Sequence, residues 1–401
     1  MYSKKRPLFI LVVTRLCAAA FVAGTPLAAG HLQAATSYVY VESNIGQAPN
    51  QNSVFAFSND GAGKLTPVNE SPFLTGGTGV YSPGGPNTEF EADQEVIASP
   101  GGKFLYAVNG HSNSIAAFDI NSDGTLTNLA NSPFPSGGQD PVSVGISASN
   151  GPATMVCVNK NEDTGQDIGD NLPNYTTFSV GNDGSLTMNA GSTLNLAAGS
   201  SPAQALTTAK DHFMLGIEFV TSRIASYTIN RAGILTEISS FSPPANGGGH
   251  FLGGAVNSKK RAAYFGLPGA NLLGVYGYNG AANLAFRHTV TNNGILPCWV
   301  ALNAAGTVLF SSETGSGTVS AYTMTNPTRP TLHQQLNLAG AGQAPTNVAL
   351  DPTEQFLYVL AGDYLHVINL ASDGTMSEIA SPVVLPVNAG ETPLGLVAIQ
   401  K

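Results

Sequence analysis

Charge is scarce in this chain. Asp, Glu, Lys and Arg together make up 10% of the 401 residues, against roughly 25% in ordinary soluble domains. Cations are rarest: 16 Lys and Arg in all, four of them (Lys4, Lys5, Arg6 and Arg15) at the extreme N-terminus. Beyond residue 35 the balance is 12 basic against 25 acidic residues. Such a surface repels nucleic acid and anionic lipid, so neither is expected as a partner. Cysteine is limited to Cys17, Cys157 and Cys298, and tryptophan to Trp299. No GxxxxGKS phosphate loop, CxxC pair or HExxH helix occurs, which leaves no signature for nucleotide or metal chemistry. No cofactor and no metal site is expected. No window holds 18 uncharged apolar residues, so no membrane span is expected either.

What the chain has in excess is glycine (46) and proline (25), set in a background that is 42% hydrophobic. That hydrophobic content supports a packed core and excludes wholesale disorder. Turn residues in this number point to many short strands.

The N-terminus joins a basic head (Lys4-Lys5-Arg6), apolar runs over 8–13 and 16–22, and a small-residue tail to Ala35. This is the pattern of a secretory signal peptide, with cleavage expected between about 30 and 36. Residues 1–35 are therefore assigned to the leader and 36–401 to a single domain, exported to the periplasm or medium and expected to be monomeric. Two cysteines then remain in the mature chain. The repeat register below puts them in non-adjacent units, which predicts two free thiols rather than a disulfide.

The chain repeats itself. Lys103-Phe-Leu-Tyr-Ala-Val-Asn109 matches Gln355-Phe-Leu-Tyr-Val-Leu-Ala361, each preceded by a Pro-containing tetrapeptide. An alternating segment follows each (Ser114–Ile120 and Tyr364–Leu370), and then Ser-Asp-Gly-Thr at 122–125 or 372–375. Asp-Gly is a strong hairpin signal because glycine accepts positive φ. The unit reads as four short strands, A to D. Strand B recurs near 38, 104, 154, 213, 262, 308 and 356, at spacings of 46 to 66 residues. Four strands per repeat, seven times over, predict a seven-bladed β-propeller of four-stranded antiparallel blades. The chain starts on a B strand and ends on an A strand (Pro393–Ile399). The last strand is therefore predicted to complete the first blade and remove the open edge.

Ser99-Pro-Gly-Gly-Lys-Phe-Leu-Tyr106, with Ser114–Ile120 and Asp123-Gly-Thr-Leu-Thr127, resembles the lactonase-type seven-bladed propellers. That family includes bacterial 6-phosphogluconolactonases and fungal carboxymuconate-cyclising enzymes. The resemblance spans residues 38–400 and implies a hydrolase that opens a sugar-type lactone. It also implies His and Arg after the strand-A prolines and Glu or Arg after some B strands. Most of those places differ here: Ala203-Gln204 follows Pro202, and Leu267-Pro268 stands where an Arg is implied. Glu218, in Gly216-Ile-Glu-Phe219, keeps the acid.

A site is expected at the propeller end where strand A begins and strand B ends, because two of the longest loops (71–93 and 159–174) lie there. Lactone opening needs a base for water and a group to hold the oxyanion. Glu218 is the expected general base, with Arg223 and His250 as its catalytic neighbours. Glu95, Asn109, His111, Gln204, Trp299, Glu313 and Asn347 are expected to line the mouth and bind a small-molecule ligand. Scarce cations and export argue against a phosphorylated substrate. The acidic loop 161–171 carries four carboxylates, expected as a solvated loop rather than a Ca²⁺ site. A non-catalytic binding propeller that lost the Arg/His set stands as the alternative.

Overall fold

The computed structural model describes residues 36–81, 91–147, 153–167, 169–208, 213–379, 381–388 and 390–401. The expected signal peptide lies outside these residues. The rest form seven antiparallel sheets, the blades of a propeller. Four blades carry an additional two-residue strand on the third strand, and among the described residues one 3-10 turn, at Pro268–Ala270, interrupts the strand rhythm.

Closure is as the sequence predicts. Leu394–Gln400 pairs with Ser37–Glu42 as the innermost strand of blade 1, matching Ser37 to Gln400 and Tyr40 to Val397. Blades 2 to 7 follow in chain order, with second strands Phe104–Asn109, Ala153–Asn159, Phe213–Glu218, Ala262–Leu267, Val308–Glu313 and Phe356–Ala361.

The repeat phrases hold neighbouring blades together. Every residue of Phe104–Asn109 and Phe356–Ala361 is buried, because each second strand is covered on both faces by adjacent blades. The tyrosine of each phrase reaches sideways. Tyr106 donates its hydroxyl to the Gly184 carbonyl at 2.9 Å, and Tyr40 to that of Gly124 at 3.0 Å. Tyr358 accepts from Asn59 Nδ2 at 2.6 Å. Gly124 and Gly184 are the glycines of Asp-Gly turns, with φ of 81° and 82°. Asp123 and Asp183 accept from residues 125 and 185, which closes each turn. Cys157 and Cys298 are both buried and unbridged.

One detail differs from the sequence expectation. Blade 2's innermost strand is only Val96–Ala98, although the repeat predicts it to begin near residue 94. Residues 91–94 leave the sheet and run across the channel, where side chains and backbone of other blades claim their backbone groups, while the Glu95 carbonyl still accepts from Val108 N–H at 3.0 Å.

Candidate functional site

In blades 3, 4 and 6 the innermost strand opens with a bulge between its proline and the residue two further on: Pro141/Ser143, Pro202/Gln204 and Pro297/Trp299. The extra residue turns the latter side chains toward the axis. Blade 5 has the same irregularity at Leu252/Gly254. Here Gly253 has φ 51°, and a Cβ would sit 2.5 Å from the Cys298 carbonyl, so only glycine fits.

Glu91-Ala-Asp-Gln-Glu95 spans this mouth. The Trp299 indole donates to the Ala92 carbonyl at 2.8 Å from blade 6. Asp93 N–H donates to the Ala203 carbonyl of blade 4 at 3.1 Å, and Val144 N–H of blade 3 donates to the Gln94 carbonyl at 3.0 Å. Gln204 Nε2 donates to Asp93 Oδ2 at 3.0 Å. From blade 7, Asn347 Nδ2 lies 3.4 Å from both Asp93 Oδ1 and Glu95 Oε2. Partners on four blades around the ring place the segment over the channel axis. Gln94 takes a left-handed backbone (φ 69°) to make the crossing, a conformation uncommon outside glycine.

The crossing gathers carboxyl groups. Burial pushes Asp93 up to about 7, against the pull of the Gln94 N–H and Asn347. Burial, reinforced by the Asp93 charge, raises Glu95 well above the carboxylate range, and burial does the same to Glu42. Lys160 stands beside them, wholly buried, with Nζ 2.8 Å from the Glu91 carbonyl and 3.8 Å from Glu162. Burial lowers its pKa and the surrounding acids oppose that shift. Below the crossing the channel holds a cavity of about 310 Å³, with Asp93, Gln94 and Gln204 at its mouth end and aliphatic walls beyond.

A second arrangement lies on the same face. His111, in the turn after blade 2's second strand, is fixed by its N–H to the Gly79 carbonyl at 3.1 Å. Its Nδ1 is 2.7 Å from Asp163 Oδ2. Asp163 is fully buried and also accepts from Gly165 N–H and Gln166 Nε2. Gln166 in turn bonds the Gly110 carbonyl and Asn113, which ties loop 159–174 to this turn. The imidazole is about one-third exposed, and among the described residues its Nε2 carries no hydrogen bond. Because a carboxylate only accepts, Nδ1 bears the proton and Nε2 is the basic nitrogen. The Tyr81 ring flanks it, centroids 6.3 Å apart.

The other expected residues fall into three groups. Gln204, Trp299 and Asn347 bond the crossing, of which Glu95 is itself a part. Glu218 and Arg223 flank one turn of blade 4, and His250, which leads into blade 5, packs against that turn. Glu218 pairs with Arg223, which also binds Glu237, and accepts from Thr221 at 2.8 Å. His250 stacks on Phe219 and bonds its carbonyl through Nδ1 at 2.9 Å. Asn109 and Glu313 are enclosed in hydrogen-bond networks at strand ends. Asn109 meets Asn52, Thr75 and Ser114; Glu313 meets Asn292, Ser311, Thr318 and Ser320. Among the described residues no cluster of three His, Cys, Asp or Glu could hold a metal ion, the acidic loop included.

Asp93, Lys160 and Asp163 were not singled out by the sequence. Lys160 follows directly on the end of the second strand of blade 3, Ala153–Asn159. It was legible as a rare cation there. The pairing of Asp163 with His111 joins two blades and leaves no local pattern.

No sequence-family model and no curated protein matches the chain. Solved structures do. The periplasmic gluconolactonase of Pseudomonas aeruginosa superposes with a TM-score of 0.68 at 14% identity, over 91% of this chain and 99% of that one. A candidate 6-phosphogluconolactonase from Bacteroides fragilis gives 0.65 at 18% identity, over 92% and 99%. A protein from Lactobacillus plantarum gives 0.68 at 17%, over 91% and 99%. The chain has the fold of the lactonase-type propellers. Within that lactonase-type fold, the crossing and the His111–Asp163 pair both sit at the end of the propeller where strand A begins.

Proposed function

We propose that the protein is an exported hydrolase that opens an unphosphorylated, sugar-type lactone, with His111 as the general base and Asp163 as its positioning partner. The observation that carries this reading is the hydrogen-bonded His111–Asp163 pair, whose partly exposed imidazole has no hydrogen bond to Nε2 among the described residues, where the two long loops of one face meet. A base oriented by a buried carboxylate is the usual arrangement for activating water. Water attacks the lactone carbonyl and gives its proton to Nε2. The ring C–O bond then breaks, and the imidazolium returns that proton to the leaving oxygen, yielding the hydroxy acid. Tyr81 supplies an aromatic wall for a sugar ring. No Lys or Arg bonds this pair among the described residues, which suits a substrate without phosphate.

Glu218, with Arg223 and His250, remains the competing base. The test is proton release during hydrolysis of glucono-1,5-lactone by the mature protein. His111→Gln is expected to lower the rate at least about a hundredfold, and Glu218→Gln to leave it within about threefold. The reverse pattern assigns the base to Glu218. Absence of turnover above the uncatalysed rate overturns the hydrolase reading. One observation favours a second reading, a non-catalytic binding propeller: residues 91–95 cross the channel mouth where a substrate would otherwise enter.

A further inference from the structure

A second histidine–carboxylate pair lies in blade 7, away from the site described above. His366 is on Tyr364–Leu370, the third strand of that blade, and is fully buried. Both ring nitrogens meet acceptors. Nδ1 is 2.6 Å from Glu378 Oε1 on the neighbouring fourth strand, and Nε2 is 2.7 Å from the Gly342 carbonyl. Turning the ring over would set carbon atoms against both oxygens, so the present orientation is the bonding one. Glu378 Oε2 accepts from Ala339 N–H at 2.7 Å. The pair thus grips both ends of Ala339-Gly-Ala-Gly342, a strap in the connection from blade 6 to blade 7, with Ala339 to Ala341 exposed. Among the described residues no other hydrogen bond ties these four residues to blade 7. The same connection runs on through Pro345, whose carbonyl accepts from Thr314 Oγ1 at 2.7 Å, to Asn347 at the crossing. Carbonyl and carboxylate oxygens only accept, and a neutral imidazole has one N–H. Neutral His366 beside ionised Glu378 therefore satisfies one contact and leaves the other as two lone pairs face to face. Both contacts are made only when the pair holds one further proton.

We propose that His366 and Glu378 form a proton-operated latch on the 339–342 strap, closed while the pair holds this proton and opened at Gly342 when it is lost. The Gly342 end gives way because an N–H donated to a carboxylate is the stronger bond. The remaining imidazole proton stays on Nδ1, and a bare Nε2 is left against the carbonyl. The sign follows: the strap is held at low pH and released as pH rises. Among the described residues Glu378 is the one carboxylate within 4 Å of the imidazole. Other titratable groups on the surrounding strands are engaged elsewhere or stand at the blade ends. On blade 7, Tyr358 bonds Asn59 of blade 1, and Asp363 and Tyr364 are half-buried where the third strand starts. Blade 6 brings Glu313, bonded by four side chains with Tyr322 beside it, and His333, bonded to Thr375. The one Lys or Arg between residues 288 and 400 is Arg329, in the turn before Thr331–Asn337, the strand whose other end leads to the strap. The latch does not rest on the hydrolase reading, since His111 and Asp163 take no part in it.

The test places a nitroxide on Ala341→Cys of the mature protein, in which both native thiols are buried. Label mobility is read by electron paramagnetic resonance at about pH 5.5 and about pH 9, which bracket the ordinary histidine range. With His366 and Glu378 in place, the rotational correlation time should shorten at least about threefold from the lower pH to the higher. Glu378→Gln keeps the shape and supplies the missing donor. Its oxygen still accepts from Ala339, its amide N–H donates to Nδ1, and neutral His366 keeps the Gly342 bond. The label should therefore stay slow at both pH values. His366→Phe should leave it fast at both. Should Glu378→Gln fail to fold, the carbonyl ¹³C shift of Gly342 in the unsubstituted chain reports the same bond and should change with the midpoint pH of the label. Equal mobility at the two pH values, an unaltered pH response in folded Glu378→Gln, or a constant Gly342 carbonyl shift would overturn the proposal.

Discussion

The indole Nε1 of Trp299 donates to the carbonyl of Ala92, 207 residues away along the chain, at 2.8 Å. The one tryptophan of the protein thus holds the segment that closes its channel. Its ring is buried, and the N–H is satisfied by a backbone group that has left its own sheet. Trp299→Phe keeps most of the apolar packing and removes the donor. It is expected to cost about 1–2 kcal/mol, read as a lower midpoint in urea. Hydrogen exchange at residues 92–95 should rise by at least about fivefold, while exchange in the second strands stays slow.

Asp163→Asn keeps the shape of the group behind His111 but weakens its hold on the Nδ1 proton. The turnover number for lactone opening should fall at least about tenfold with little change in KM, because orientation of the base is lost and the ligand contacts remain. A merely structural role for Asp163 would instead lower the melting temperature and leave the rate per folded molecule unaltered.

The carboxyl groups at the crossing make stability depend on pH with a definite sign. Burial lifts Asp93 to about 7, and lifts Glu42 and Glu95 well above their usual range. Between about pH 4 and 7 the unfolded chain has released these protons and the folded protein still holds them. The stability they contribute is therefore present in full at low pH and is lost as pH rises through the folded values. The protein should resist urea better at pH 5 than at pH 8, and Asp93→Asn should flatten that slope. A wild-type midpoint that rises from pH 5 to 8 would contradict this account.

Cys157 and Cys298 lie on blades 3 and 6, both buried. Burial pushes both thiols up, Cys298 to about 12. Neither should react with a thiol reagent at pH 8 until the protein unfolds. Non-reducing peptide mapping should then recover two free thiols and no 157–298 crosslink.

Removing residues 392–401 takes away the innermost strand of blade 1 and exposes the paired edge of Ser37–Glu42. Cooperative unfolding should disappear and the truncated chain should aggregate, since that edge is then open. A sharp two-state transition in the truncated protein would refute the closure.

The fold was legible because it is written locally and seven times over. Phe-Leu-Tyr runs mark second strands covered on both faces, Asp-Gly marks the hairpin after the third strand in four blades, and the staggered ends of the chain announce the closure. Glu95, Gln204, Trp299 and Asn347 were expected at the mouth together with Asn109 and Glu313; the structure brings the first four to the crossing and encloses the other two at strand ends. Tertiary structure alone decided what they surround. Asp93 acquires its shifted pKa and His111 its carboxylate partner only when different blades meet, whereas Arg223 reaches Glu218 within one hairpin. Burial and cross-blade hydrogen bonds are properties of that meeting, and a strand pattern with a period of two residues carries no record of them.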